Sequence, residues 1–358
     1  MTRTDVLHRP HRSTARRAGW RAAVVLAFVP LAFAPTAFAQ VGQPVPALLE
    51  ALALTLAPDA DEGSAAVQVV TEEGRSLTLT PRGSALYAVA GEALFDAEAI
   101  AEAATVIAVA TGYGDGIEGP VRGFFEQNLA ALAGAGPRTI RVEAFLLEVE
   151  VRGDAAPYAV AWNLSLAEVD EEAFPEARHA KGPADARYVI REFSDLQCPF
   201  CARYASDMLP TLEAELLARG DVRFEYHHFP LVSIHANAFR AAEASECVVD
   251  ANADDADAFW AYTDALFERM QAWGELGDPD AYFANLTGQI GLAGEGVAAC
   301  LAAGTHTAAV GAATDAAVAL GLSGTPTLFV GPYRLQDFNR VQGYLDLFDT
   351  IDAFADAE

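Results

Sequence analysis

Two cysteines stand three positions apart in Cys198-Pro199-Phe200-Cys201, where an extended, apolar segment ending at Asp195 gives way to a helical pattern. The first turn of a helix has unpaired N–H groups and the positive end of the helix dipole. A thiol placed there ionises more readily than that of a free cysteine. A thiolate with a second thiol one turn away can form, break and exchange disulfides. The same spacing also occurs in structural disulfides and in half of a zinc site. Zinc needs four ligands, yet Cys247 and Cys300 lie far apart and form no second pair; His227, His228 and His235 are possible completers. An inert disulfide usually closes a longer loop. A redox dithiol working without metal or organic cofactor is the chemistry expected.

The elements that must position these thiols follow from the surrounding pattern. Residues 187–193 read as a buried strand, 199–219 as a helix, and 222–229 as a second strand ended by Pro230, together a parallel βαβ unit. Residues 235–319 are almost wholly helical, with breaks near Asn252, Gly277 and Gly288. Phe259, Trp260, Tyr262, Phe267 and Trp273 recur at helical spacing as the core of this insert. Gly324-Thr325-Pro326 then leads into a strand over 327–330, a turn at Gly331-Pro332, and a closing amphipathic helix over 336–354.

Phe193-Ser194-Asp195-Leu196-Gln197-Cys198-Pro199-Phe200-Cys201, taken with Gly324-Thr325-Pro326-Thr327, resembles the DsbA-like branch of the thioredoxin superfamily. The resemblance covers about residues 184–356, and the domain over 187–358 is predicted to be an α/β thioredoxin-like fold with a helical insertion at about 235–319. It implies that Cys198 is the exposed nucleophile and Cys201 the resolving thiol. By the same resemblance Pro326 is a cis-proline facing the dithiol, and Pro199, Phe200 and the Thr325 backbone meet an extended client peptide. Glu192, a charged residue inside the first strand, falls where the family has a buried acid that exchanges a proton with the resolving thiol. An exposed glutamate at a sheet edge is the competing reading. The lysine that partners this acid in some relatives is absent, because Lys181 is the chain's single lysine and precedes the strand. An arginine or a water would have to substitute.

Phe200 stands where strongly oxidising members carry histidine, so a less oxidising disulfide is expected. Thr325 resembles the threonine of isomerase-type relatives and leaves the direction of electron flow open. Similar family members pair cysteines at places matching Cys247 and Cys300, which implies a structural disulfide. Two buried free thiols are the alternative. The residue pair His227-His228 points to opposite faces of the second strand and is expected to be structural.

Before this domain, residues 40–168 read as a smaller α+β domain of no recognised family. An apolar helix over 45–56 is followed by strands at 66–71, 75–80 and 85–90, helices at 96–109 and 119–133, and strands at 139–151 and 158–166. This region holds no cysteine, histidine or glycine-rich phosphate loop. A role in dimerisation or client binding and an inert structural role fit it equally. Residues 169–186, rich in acid, alanine and proline, read as a linker.

Residues 1–39 carry six arginines, then an apolar stretch from Ala22 that ends at Ala37-Phe38-Ala39. They read as a signal peptide for general secretion. An uncleaved anchor is the alternative, although Pro30 and Pro35 interrupt a stretch already short for a bilayer. The formal charge of the whole chain is −27. Losing those arginines and Asp5 leaves 17 basic against 49 acidic residues, about −32. Such a charge argues against nucleic acid or anionic lipid as a partner.

The function expected is an exported, periplasmic or extracellular thiol-disulfide oxidoreductase. It would act on cysteine-containing clients and be reset by a membrane or soluble redox partner, with no stable membrane insertion after cleavage. A non-catalytic peptide-binding or folding-helper module is the alternative, and glutathione-dependent chemistry, which does not require two cysteines, is a third reading.

Overall fold

The computed structural model describes residues 41–57, 65–253 and 255–355. The predicted signal peptide lies outside the described residues. In the N-terminal half, α1 (Val45–Ala51) leads to β1 (Thr55–Leu56), β2 (Val67–Val70), β3 (Ser76–Arg82) and β4 (Ala85–Phe95). Then come α2 (Ala97–Thr111), α3 (Asp115–Leu132), β5 (Arg138–Val142), β6 (Phe145–Arg152) and β7 (Tyr158–Leu166). The strands form one antiparallel sheet in the order β1-β2-β3-β4-β7-β6-β5. The predicted strand over 139–151 is two strands, turned at Glu143, which adopts φ +53°.

Alternation along β7 sends Val160, Trp162, Leu164 and Leu166 to the face that packs on α2 and α3. Asp96 caps α2, its side chain accepting from the Ala99 N–H at 2.9 Å, and Gly112 ends it at φ +74°. Gly91 is required opposite Trp162, since a Cβ there would lie 2.8 Å from the indole.

The second sheet belongs to the C-terminal half: β8 (His179–Lys181), β9 (Tyr188–Ser194), β10 (Val222–His228), β11 (Thr327–Val330) and β12 (Tyr333–Leu335). Its order is β12-β11-β9-β10-β8, with β9 and β10 parallel and every other pair antiparallel. Between β9 and β10 run α4 (Pro199–Arg203), a π-helical turn at Tyr204–Met208, and α5 (Leu209–Glu215). The helix predicted to run unbroken to 219 is therefore widened in the middle. Pro210 supplies no N–H to the turn before it, which is a standard cause of such a bulge.

The insert comprises α6 (Ala238–Ala251), α7 (Ala256–Glu268), α8 (Met270–Trp273), α9 (Asp280–Gln289), α10 (Val297–Ala303) and α11 (Thr307–Ala319), as its periodicity required. Phe259, Tyr262 and Trp273 are fully buried in it. The chain closes with α12 (Val341–Ala355).

One sequence expectation needs correction. The segment read as a linker carries a short 3-10 turn at Glu171–Ala173 and then β8, whose residues Ala180 and Lys181 pair with Glu225 and Phe224. Three residues bounded by Gly182 are too few to display strand periodicity. The halves also share a wall, because Ala353 and Phe354 of α12 and Tyr333 of β12 join the N-terminal core. Gly83, at the β3–β4 turn with φ +59°, lies so close to the Ala353 carbonyl that a Cβ would come within 1.6 Å of it. Arg82 pairs with Glu168 at 2.8 Å, and Thr350 donates to the Gly42 carbonyl at 2.9 Å.

Cys247 of α6 and Cys300 of α10 form a disulfide across a separation of 53 residues, with Cα atoms 5.9 Å apart. In the chain-entropy picture, closing a loop of that size restricts the unfolded chain by up to about 4 kcal/mol. Changing both cysteines to alanine is expected to lower stability by roughly 2–4 kcal/mol in urea titrations. A midpoint equal to that of the parent protein would show the bond to be energetically idle.

Candidate active site

Strand β9 ends at Ser194, and the loop Asp195–Gln197 delivers Cys198 to the N-cap of α4, with Pro199 at the first helical position. That loop is held firmly. The buried Asp195 carboxylate accepts from the N–H groups of Gln197 and Leu231, each at 2.7 Å, and contacts His235 Nδ1 at 2.8 Å. Gln197 donates to the Gly274 carbonyl at 2.9 Å and accepts from the Asn237 N–H at 2.8 Å, fastening the loop to the insert. Asp195 and Gln197 show no role in the sequence taken alone. Their signal was two polar residues flanking Leu196 just before the dithiol.

Cys198 and Cys201 are free thiols and both are buried; the expected exposure of Cys198 needs correction, since it is 3 % exposed with the Thr325 segment against its sulfur. Cys198 Sγ lies 3.4 Å from the Thr325 carbonyl oxygen, and the Thr325–Pro326 peptide bond is cis. The two chain segments of the sequence motif thus meet at the sulfur. Phe200 projects outward, 57 % exposed, with the Arg203 guanidinium 5.6 Å from its ring.

The two thiols occupy opposite electrostatic situations. Cys198 is drawn down to about 6, chiefly by hydrogen bonding from the Cys201 thiol, with help from Thr325 and the N–H groups of Cys201 and Phe200 against the effect of burial. Cys201 is pushed well up by burial, by its bond to Cys198, and by the negative charges of Cys198 and Glu192. The leading causes that depress the Cys198 value are neutral donors.

Glu192 is 3 % exposed, so the edge-exposed reading is excluded. On β9 it sits opposite Tyr226 of the parallel β10 and Leu328 of the antiparallel β11. Burial raises its carboxyl to about 8, with Ser194 opposing and the Cys198 charge adding to the rise. The expected arginine substitute for lysine is not the partner. Arg191 points to the other face, where it meets Glu225 at 3.1 Å and Glu171. Lys181 pairs with Glu213 and lies 4.6 Å over the Trp260 ring. Around Glu192 stand hydroxyl groups instead, those of Ser194, Tyr204, Tyr226 and Tyr344, and burial together with the Glu192 charge raises all three tyrosines. Tyr204 and Tyr344 hydroxyls are 2.9 Å apart.

The histidines named as possible zinc completers are engaged elsewhere. His227 stacks on Phe193 at 4.8 Å, and His228 contacts the buried Glu246 at 3.1 Å, alongside His179 at 2.8 Å. With Arg178 also 3.0 Å from Glu246, this cluster joins β8, β10 and α6. His235 serves Asp195, so none of the three gathers on the dithiol.

Residues 175–349 match the thioredoxin family model. The C-terminal half of this chain is a thioredoxin-family domain. Over 105 residues it is 36 % identical to Disulfide bond formation protein D of Bacillus subtilis, covering 27 % of the chain and 45 % of that protein. A second relative, Na(+)/H(+) antiporter NhaA 3 of Salinispora tropica, is 31 % identical over 170 residues, 45 % of the chain and 24 % of the antiporter. The chain therefore spans less than half the length of these curated relatives. Among the described residues no single helix is long and apolar enough to cross a membrane. The crystal structure of oxidised BdbD from Bacillus subtilis aligns with 53 % of the chain and 96 % of its own, at 24 % identity and a TM-score of 0.43.

Proposed function

We propose that the DsbA-like domain is an exported protein thiol-disulfide oxidoreductase that exchanges disulfides with client cysteines through Cys198 and Cys201. The observation that carries this reading is the split between the two thiols. One sulfur, at a helix start beside the Thr325 backbone, is prepared as a thiolate near neutral pH, while its neighbour one turn deeper stays protonated against a buried acid. An inert disulfide pair gains nothing from that asymmetry. Export is supported by the arginine-rich, apolar leader and by the Cys247–Cys300 disulfide in the insert.

In the reducing direction the Cys198 thiolate attacks a client disulfide, forming a mixed disulfide and releasing one client sulfur with the electron pair. Cys201, on giving up its proton, attacks Cys198 Sγ and displaces the second client sulfur. The dithiol is oxidised and the client reduced. The oxidising direction is the reverse, and either requires a redox partner to reset the pair. Pro199, Phe200 and the Thr325 backbone would form the client-facing surface, with Pro326 bordering the sulfur.

Insulin reduction and oxidation of a reduced client, with wild type and Cys198→Ser compared, test this function. Equal activity in both would favour a peptide-binding module. Phe200 offers a separate check. A histidine there adds a cation beside the Cys198 thiolate and stabilises the reduced form, so Phe200→His is expected to be more oxidising by roughly 30 mV or more. Equilibration with glutathione measures it, and an unchanged potential would remove position 200 from the determinants of redox poise.

A further inference from the structure

Ser194 lies at the centre of the buried polar cluster, and the exchange steps above leave it unused. It follows Glu192 by two positions on β9, so both side chains face the same side of the sheet. Tyr226 lies opposite Glu192 in the register, and Cys201 of α4 is close enough to interact with both Glu192 and Ser194. Ser194 is 1 % exposed, and its backbone carbonyl is pinned by the Phe229 N–H at 2.7 Å.

Its hydroxyl is one of few left over. Several others in the interior hydrogen-bond a carbonyl, Thr111 to Ala108, Ser245 to Ala242, Thr263 to Phe259 and Thr327 to Gly324, all at 2.8–3.0 Å, whereas Thr325 Oγ1 is also without a partner. Ser194 Oγ is buried without a well-formed hydrogen bond, as is the neighbouring Tyr226 hydroxyl. A buried hydroxyl left unpaired costs on the order of 1–3 kcal/mol, and alanine would fill the site without that cost. Oγ is also near enough to Glu192, Cys201 and Tyr226 to favour the ionised form of each. A hydroxyl both accepts and donates, so an uncommitted one between a thiol and a carboxylate can pass a proton from one to the other.

We propose that Ser194 relays the proton between the Cys201 thiol and the Glu192 carboxylate during resolution of the mixed disulfide, an inference that rests on the exchange function proposed above. Ser194 Oγ accepts the proton of Cys201 while giving its own hydrogen to Glu192. The Cys201 thiolate then attacks Cys198 Sγ. The Cys198–Cys201 bond forms, the Cys198–client bond breaks, and the electron pair leaves on the client sulfur. Glu192 ends protonated and Ser194 unchanged. In the oxidising direction the same relay returns the proton to Cys201.

Single-turnover resolution of a preformed mixed disulfide between Cys198 and a client peptide, followed from pH 5 to 9, tests the relay. Ser194→Ala is expected to slow resolution about tenfold. It should also move the midpoint of the pH–rate curve upward, since the group that favours ionised Glu192 is gone. Ser194→Thr and Ser194→Val match in shape and differ in the hydroxyl. Threonine is expected to resolve at least several-fold faster than valine, which keeps the test valid should the alanine variant not fold. Adding Ser194→Ala to Glu192→Gln should slow the protein no further. Rates within twofold of wild type at an unchanged midpoint, equal rates for threonine and valine, or effects that multiply in the double variant would each overturn the relay while wild type remains active. A wild-type protein that cannot resolve the mixed disulfide would overturn the exchange function, and the relay with it.

Discussion

Replacing Cys198 by serine is expected to lower thiol-disulfide exchange by on the order of 10³-fold or more, because a hydroxyl at neutral pH neither attacks a disulfide nor leaves one. The companion variant Cys201→Ala is expected to arrest exchange after the first step and accumulate a covalent mixed disulfide, visible as a mass shift that a reductant reverses. In reduced wild type, alkylation of Cys198 should rise with pH about a midpoint near 6, following its thiolate. Hydrogen bonding from the Cys201 thiol contributes most to that low value, so in Cys201→Ala the midpoint should move up towards the ordinary thiol range. An unmoved midpoint would assign the acidity to the helix start and Thr325 alone.

Glu192→Gln is expected to have two large and opposite effects. Resolution slows by on the order of 10²-fold at neutral pH, since the amide takes no proton from Cys201. Stability of the reduced protein changes the other way. The Glu192 carboxyl is raised from 4.5 to about 8 on folding, so the native protein holds that proton more tightly than the unfolded chain. This contribution is complete below the unfolded value of 4.5 and is lost as pH rises through about 8. Glutamine is neutral throughout and carries no such loss. At pH 8 the variant is expected to be the more stable by on the order of 3 kcal/mol, with the two proteins converging below pH 4.5. Cys198, lowered on folding, contributes in the opposite sense between about 6 and 9, so the difference between the two urea-unfolding series, taken from pH 4 to 9, isolates Glu192. Parallel series would show that Glu192 ionises in the folded protein as it does in the unfolded chain.

The legible part of the site was local in the chain. Cys198, Pro199 and Cys201 announce a helix start because proline is suited to its first position and the preceding strand is apolar. Glu192 stood out as a charge within that strand, and β9, α4, β10 and the insert follow from hydrophobic period. The less legible part lay in segments too short or too widened to hold a period. Examples are β8 inside the acidic stretch, β12 after Gly331-Pro332, and the π-helical turn before Pro210. The predicted linker was misread for that reason. Its composition is a linker's, yet three of its residues complete a sheet edge whose partner lies some forty residues on.

By itself the sequence determined the dithiol at a helix start, the acid six residues before it, the Thr325-Pro326 segment that had to lie nearby, and an excess of acid. These depend on spacing along one strand or one helix, where geometry follows directly from residue number. Tertiary structure decided what surrounds them. It drew the Thr325 carbonyl to 3.4 Å from Cys198, brought tyrosine hydroxyls rather than a cation of the described residues to Glu192, and left Ser194 without a well-formed hydrogen bond beside acid and thiol. The electrostatic role of a buried group depends on neighbours from β10, α4 and α12, which no spacing within its own strand can reveal.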